Sequence, residues 1–246
     1  ANLQANLRSQ CAMALEELPA IACAQSADGS IAINLYGPGE ARFTHADGRE
    51  LRITQHTAYP YPGEIRLCIA GAGATRFALK LRIPSWAAGA TLAVNGIDAG
   101  VAVVPGDYAT IGREWRDGDE IVARFPMRPT LHRAVNRNVQ ESRAPDGSEV
   151  HQEVLHFEYA AITCGPLVYA TGLIDGFKIE ETLRLPAAPP EQWLTLLPTP
   201  ADGVPRIALD PGYRAPLLFT PYFMTGGRVD GSWRLSWLPL APEPHG

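Results

Sequence analysis

The sequence predicts a mainly β protein of the sandwich or jelly-roll kind, preceded by one N-terminal helix. Three observations predict it. From residue 28 onward apolar residues recur with period two, the spacing of a strand with one dry face. Gly (23) and Pro (22) are scattered between short apolar runs, as in chains with many turns. Hydrophobic residues make up 46% of the 246 and charged residues 19%, enough to fill a core and too apolar for a disordered chain.

The helix is expected over residues 1–18, where Leu3, Leu7, Cys11, Ala14, Leu15 and Leu18 recur at three- and four-residue steps on one face. Pro19 is expected to end it. No later segment reads as a helical partner for that stripe. Strands follow: Ile31, Ile33 and Leu35; Leu51 and Ile53; Ile65, Leu67 and Ile69. The clearest is Arg76–Pro84, with Phe77, Leu79, Leu81 and Ile83 on one face and Arg76, Ala78, Lys80 and Arg82 on the other. Thr91–Val94 runs into Asn95-Gly96, a dipeptide suited to the positive φ angles of a tight hairpin. Tyr108–Ile111 and Glu120–Phe125 are joined through Asp117-Gly118-Asp119. Short strands at this spacing are the signature of a sandwich.

Residues 134–153 are polar and read as a long loop or hairpin tip around Pro145-Asp146-Gly147. Strands resume at Leu155–Thr163, Leu167–Ala170 and Ile179–Leu185. The stretch 186–216 holds eight prolines and is expected to be mostly coil. A last strand, Trp233–Leu238, should turn Trp233, Leu235 and Trp237 to the core, and the tail 239–246 should fray.

Several function classes are disfavoured. A net charge of −5 argues against nucleic acid. No 18-residue apolar run exists to span a membrane, and Ala1–Glu17 has no basic and apolar leader pattern. The compartment stays open, with the cytoplasm favoured. The start at Ala1 rather than Met suggests a processed or truncated chain. The four cysteines, Cys11, Cys23, Cys68 and Cys164, form no C-x-x-C pair, which excludes a zinc ribbon and leaves free thiols as the simplest reading.

Few residues carry chemistry. Asp117, Asp119 and Glu120 cluster as a glycosidase pair would, but Asp-Gly-Asp is first of all turn chemistry. Glu149, His151, Glu153 and His156 invite a metal reading, yet on a strand His151 and His156 point to opposite faces. Trp86, Trp115, Trp193, Trp233 and Trp237 could stack on sugars if exposed. Gly37-Pro38-Gly39 and Gly71-Ala72-Gly73 lead into further strands and read as turns, not phosphate loops. There is no G-x-S-x-G elbow. These residues yield no catalytic constellation, and no site residue is assigned.

A set of segments carries a resemblance. Leu81-Arg82-Ile83-Pro84-Ser85-Trp86-Ala87 is followed by Val94-Asn95-Gly96, Gly106-Asp107-Tyr108, Arg113-Glu114-Trp115-Arg116-Asp117-Gly118-Asp119 and Phe125-Pro126-Met127. Cys164-Gly165-Pro166-Leu167-Val168-Tyr169 and Pro221-Tyr222-Phe223 come later. Ala27-Asp28-Gly29, Asn34-Leu35-Tyr36 and Thr57-Ala58-Tyr59-Pro60 come earlier. In this order, over residues 20–240, they resemble the C-terminal β-sandwich region of glycoside hydrolase family 127, the β-L-arabinofuranosidase-like enzymes. The resemblance implies a first sandwich at 28–127 completed by 215–240, a second at 128–214, and residues 1–27 as the last helix of an (α/α)6 catalytic barrel. It implies that the chain is an accessory part without catalytic, cofactor or metal residues of its own. The family's glutamate acid/base and zinc-bound cysteine nucleophile lie in the barrel. Its Cys-Cys-Pro-Pro-Asn motif would fall near Asn6–Gln10, which here reads Asn-Leu-Arg-Ser-Gln, with Cys11 out of register. The implied partners are the barrel and, through the whole enzyme, carbohydrate. The residues leave open a stand-alone carbohydrate-binding sandwich using Trp86 or Tyr61, and a scaffold that dimerises through its helix.

Overall fold

The structure is a computed structural model that describes residues 16–45, 47–172, 182–225 and 234–241. The fold is mainly β, as expected, and the chain divides into two compact units, Ala1–Met127 and Arg128–Gly246. Residues 16–22 form a helix, α1, so the helix runs through Pro19 instead of ending there. A proline removes one helical N–H and crowds the preceding turn, which costs stability without forbidding the next turn. Leu18 and Ile21 stand 41% and 53% exposed on α1. The rest of the expected helix, 1–15, lies outside the described residues. Among the described residues no helix is long and apolar enough to cross a membrane.

Among the described residues, ten strands build the first unit: β1 (Cys23–Gln25), β2 (Ile31–Ile33), β3 (Gly39–Thr44), β4 (Glu50–His56), β5 (Glu64–Ala70), β6 (Thr75–Arg82), β7 (Thr91–Val94), β8 (Ile97–Asp98), β9 (Tyr108–Trp115) and β10 (Glu120–Arg124). One sheet runs β1-β2-β6-β9 and the other β3-β4-β5-β10-β7-β8. Only the β2–β6 pairing is parallel among them. The alternating residues named from the sequence meet between the sheets. Ile31, Ile33, Ile53, Ile65, Leu67, Leu79, Leu81 and Ile83 are all within 1% of full burial. Each such side chain contributes roughly 1.5–3 kcal/mol by leaving water. Trp115 fills the centre at 0% exposure, and its Nε1 donates to the Phe77 carbonyl at 3.1 Å. Asn95 and Gly96, with φ of 51° and 80°, make the tight β7–β8 turn the dipeptide predicts. Gly63 allows a close approach: a Cβ there would run into the Phe125 carbonyl.

The second unit grows from a long hairpin, β11 (Pro129–Arg143) and β12 (Glu149–Cys164), turned at Pro145-Asp146-Gly147. Of the two readings of 134–153, long loop or hairpin tip, the hairpin is the one formed, with strands that extend through most of the segment. Toward its tip the hairpin pairs only with itself. The described side chains there, 132–136 and 145–150, are exposed, and exposed positions demand no apolar alternation, so the pattern that reveals other strands is missing. Beyond lie β13 (Leu167–Gly172), β14 (Leu194–Leu196), β15 (Ile207–Leu209), β16 (Leu217–Pro221), β17 (Arg234–Leu235) and β18 (Leu238–Pro239), in the path β11-β12-β13-β16-β15-β14. Two short strands thus sit inside the proline-rich stretch expected to be coil.

The end of the chain departs from the expected domain plan. Residues 215–240 were assigned to the first sandwich, but β16 pairs with β13 and β15, β17 with β13, and β18 with β12. The last strand is also broken. A bend at residues 236–237 reverses the alternation, so Leu238 is buried at 0% and Trp237 stands 47% exposed instead of facing the core. Trp233 and residues 173–181, which hold the start of the expected Ile179–Leu185 strand, lie outside the described residues. Leu183 forms a single bridge to Leu240.

Candidate functional site

The acidic cluster is a structural turn. Asp119 is 8% exposed; its Oδ1 accepts from Asn95 Nδ2 at 2.8 Å and its Oδ2 from the Arg116 amide at 2.9 Å. Burial pushes this carboxyl up, but the Asn95 and Arg116 hydrogen bonds and the Arg113 charge outweigh it and hold it below the usual carboxylate range. Asp117 Oδ1 accepts the Gly73 amide at 3.2 Å, and Glu120 binds Arg66 at 2.9 Å. Through these bonds the cluster ties its own turn to the neighbouring turns at Gly73 and Asn95, the role that Asp-Gly-Asp turn chemistry predicts.

The aromatic and histidine candidates do not converge either. Trp115 and Trp193 are core residues, the latter donating to the Ala188 carbonyl at 2.7 Å. Trp86 is half-buried and packs edge-on against Phe125, centroids 5.9 Å apart, so its face is not an open platform beside Tyr61. His151 and His156 lie along β12. Among the described residues no three His, Cys, Asp or Glu side chains gather closely enough to hold a metal ion. The zinc implied for the barrel therefore finds no fitting donor set in them. Cys23, Cys68 and Cys164 are free, and burial pushes the Cys164 thiol up to about 11, so it stays a neutral thiol in this chain. Cys11 lies outside the described residues.

A concavity in the first unit belongs to none of these groups. It arises because β2 has three residues and β6 has eight. Their pairing begins at Ile31 with Leu79, so Thr75–Ala78 have no β2 residue beside them. The space left is a cleft of about 460 Å³ lined by Gln25, Asp28, Thr44, His45, Arg76 and Phe77, among others. Three segments wall it: the turn joining β1 to β2, the end of β3 in the opposite sheet, and the start of β6. Gln25 Nε2 donates to the Thr44 carbonyl at 3.3 Å, tying the two sheets together beside it.

The turn is held rigidly. Ser26 N donates to the Ser30 carbonyl at 2.8 Å and Gly29 N to the Ser26 carbonyl at 2.9 Å, with Gly29 at φ 78°. Asp28 Oδ1 takes both the Ser30 hydroxyl at 2.6 Å and the Ser30 amide at 2.9 Å. Those two bonds hold the Asp28 carboxyl below the usual carboxylate range, with a smaller pull from the Lys80 charge. His45 Nδ1 is shielded from water and lies 3.2 Å from Asp47 Oδ1, off the line of a good hydrogen bond. Nothing in the sequence marked this cleft beyond the Ala27-Asp28-Gly29 turn. His45 and Arg76 reach it only through tertiary pairing.

Comparison with known proteins gives this fold its context. Residues 30–127 match the family model described as the β-L-arabinofuranosidase GH127 middle domain. A GH127 β-L-arabinofuranosidase from Geobacillus stearothermophilus T6 is 25% identical, with a TM-score of 0.62 over 90% of this chain and 35% of its own. A structure described as a glycoside hydrolase is 26% identical, with a TM-score of 0.64 over 90% of this chain and 37% of its own. A GH127 β-arabinofuranosidase, 23% identical over 86% of this chain and 35% of its own with a TM-score of 0.58, shares the fold. The chain thus spans about a third of the length of these structures. No curated protein matches the sequence.

Proposed function

We propose that this chain is a non-catalytic β-sandwich part of a longer glycoside hydrolase related to the β-L-arabinofuranosidases, lying C-terminal to a helical catalytic barrel and buttressing it. The observation that carries this reading is the joint match of sequence and fold. The first unit matches a domain named as the middle of such an enzyme, and 90% of the chain overlays about a third of two glycosidases. The chemistry of the residues supports it. Asp117, Asp119 and Glu120 each serve a turn or sheet contact. Apolar Leu18 and Ile21 on α1 offer surface for a further helix to cover. The barrel is then the partner, carbohydrate reaches the chain through the whole enzyme, and any zinc belongs to the barrel.

Incubation of the purified 246-residue chain with p-nitrophenyl β-L-arabinofuranoside tests it. The expected result is no release of nitrophenol above buffer. Release that survives repurification and disappears in Asp119→Asn or Glu120→Gln would make this chain an enzyme in its own right and end the reading.

A further inference from the structure

We propose that the cleft at the start of β6 is a binding site for one neutral polyhydroxylated ring, a monosaccharide unit. The inference stands on the cleft's geometry and does not depend on the accessory-domain reading. Its volume of about 460 Å³ falls in the range of about 300–1,000 Å³ usual for small-molecule sites. Its floor is apolar, with Phe77 at 8% exposure, and its rim is polar.

The rim groups are unspent. The Arg76 guanidinium makes no hydrogen bond or ion pair with another described residue. Glu114, its partner across β6 and β9, binds Arg116 at 3.1 Å instead. Asp28 uses only Oδ1 on Ser30, which leaves Oδ2 without a bond from another described residue. His45 turns Nδ1 toward Asp47, so Nε2 is the ring atom left to act. An acceptor carboxylate, a donor guanidinium and an imidazole around one apolar floor match vicinal hydroxyls, each of which both donates and accepts.

Other ligands fit less well. An anion would meet the ionised Asp28. An extended peptide could in principle continue the missing part of β2, but the Ser26–Ser30 turn closes that path and leaves a compact space. The contrast with the other seam of the sandwich is informative. A cavity of about 400 Å³ there is lined by Val94, Ile97, Ala99, Val101 and Ile111, and its Arg113 is already stacked 5.2 Å from the Trp115 ring centroid. Its rim also holds Asn95, spent on Asp119 and the Glu120 amide, and Asp98, whose Oδ1 takes the Gly100 amide, so the Asp98 carboxylate faces no unspent cation there.

The test is amide chemical-shift mapping on the ¹⁵N-labelled chain, titrated separately with L-arabinose, D-galactose, D-glucuronate and an extended tetrapeptide. The expected result is saturable shifts at Asp28, Gly29, His45 and Arg76 with at least one neutral sugar, weakened tenfold or more in Arg76→Gln and in Asp28→Asn. Arg76 is exposed and unbonded, so Arg76→Gln keeps the fold and isolates the lost contact. No shift at the cleft with either neutral sugar, a preference for glucuronate or the tetrapeptide, or unchanged affinity in Arg76→Gln would each overturn the proposal. Failure here leaves the accessory-domain reading intact, because that reading rests on fold and sequence likeness.

Discussion

The two units finish their surfaces differently. The outer face of the six-stranded sheet in the first unit is laced with charge. Glu64 binds Arg124 at 3.0 Å and Arg66 at 3.4 Å, Arg66 binds Glu120 at 2.9 Å, and Arg42 binds Glu40 at 2.8 Å. Strands β4 and β5 alternate strictly between that wet face and the core. The second unit instead leaves Val168, Leu218, Tyr222, Phe223, Met224 and Trp237 between 45% and 59% exposed. Its described buried set includes Ile162, Tyr169, Trp193, Ile207, Leu209, Phe219 and Leu238. One unit has a face made for water, and the other carries apolar surface that water does not favour. Among the described residues, the larger share of exposed apolar side chains lies in the second unit.

The sharpest way to break this contrast is Trp115→Ala. Removing a fully buried indole whose N–H is bonded should cost about 3–5 kcal/mol and unfold the first unit at low urea. Urea titration followed by circular dichroism checks it, and a loss under about 1 kcal/mol would show that the core is not where the strength lies.

A middle effect is expected at Asp119. Replacing it with Ala orphans Asn95 and the Arg116 amide and should cost about 1–3 kcal/mol at neutral pH. Because the folded carboxyl is held low, its contribution is complete above the unfolded value of about 3.9 and fades as pH falls through the folded one. The gap between Asp119→Ala and the parent should therefore narrow below about pH 4. Thermal melts across pH 3–7 would show a constant gap if the hydrogen bonds were not charge-assisted.

The smallest effect should come from the surfaces themselves. Arg66→Ala in the first unit and Met224→Ser in the second should each change stability by about 0.5 kcal/mol or less, since one breaks exposed ion pairs and the other removes an exposed side chain. They should part in solubility. Met224→Ser should reduce binding of a hydrophobic dye, while Arg66→Ala should leave it unchanged.

The same contrast explains what could be read from sequence. The core strands of the first unit were legible because one face of each is dry. Phe77, Leu79, Leu81 and Ile83 could occupy alternate positions for no other reason. The extent of the β11–β12 strands was hidden because the described side chains of their outer part, 132–136 and 145–150, are exposed and show no apolar alternation. Trp237 was misplaced because a two-residue bend before Leu238 leaves no mark in composition. The pairing of 215–240 was mistaken because partners far apart in sequence are set by register, not by local pattern. The cleft escaped for a related reason. It depends on the unequal lengths of β2 and β6, and a missing neighbour is visible only after the sheet is assembled.

The position of the last strands has a consequence for synthesis. Every strand of the first unit has left the ribosome once Arg124 emerges, so that unit can close while the rest is still being made. The second unit cannot. Its hairpin zips early around Gly147, but β12 waits for Leu238 and Leu183 waits for Leu240, both made much later. Until then Ala160 and its neighbours lie open, and the nascent second unit is the part a chaperone would hold.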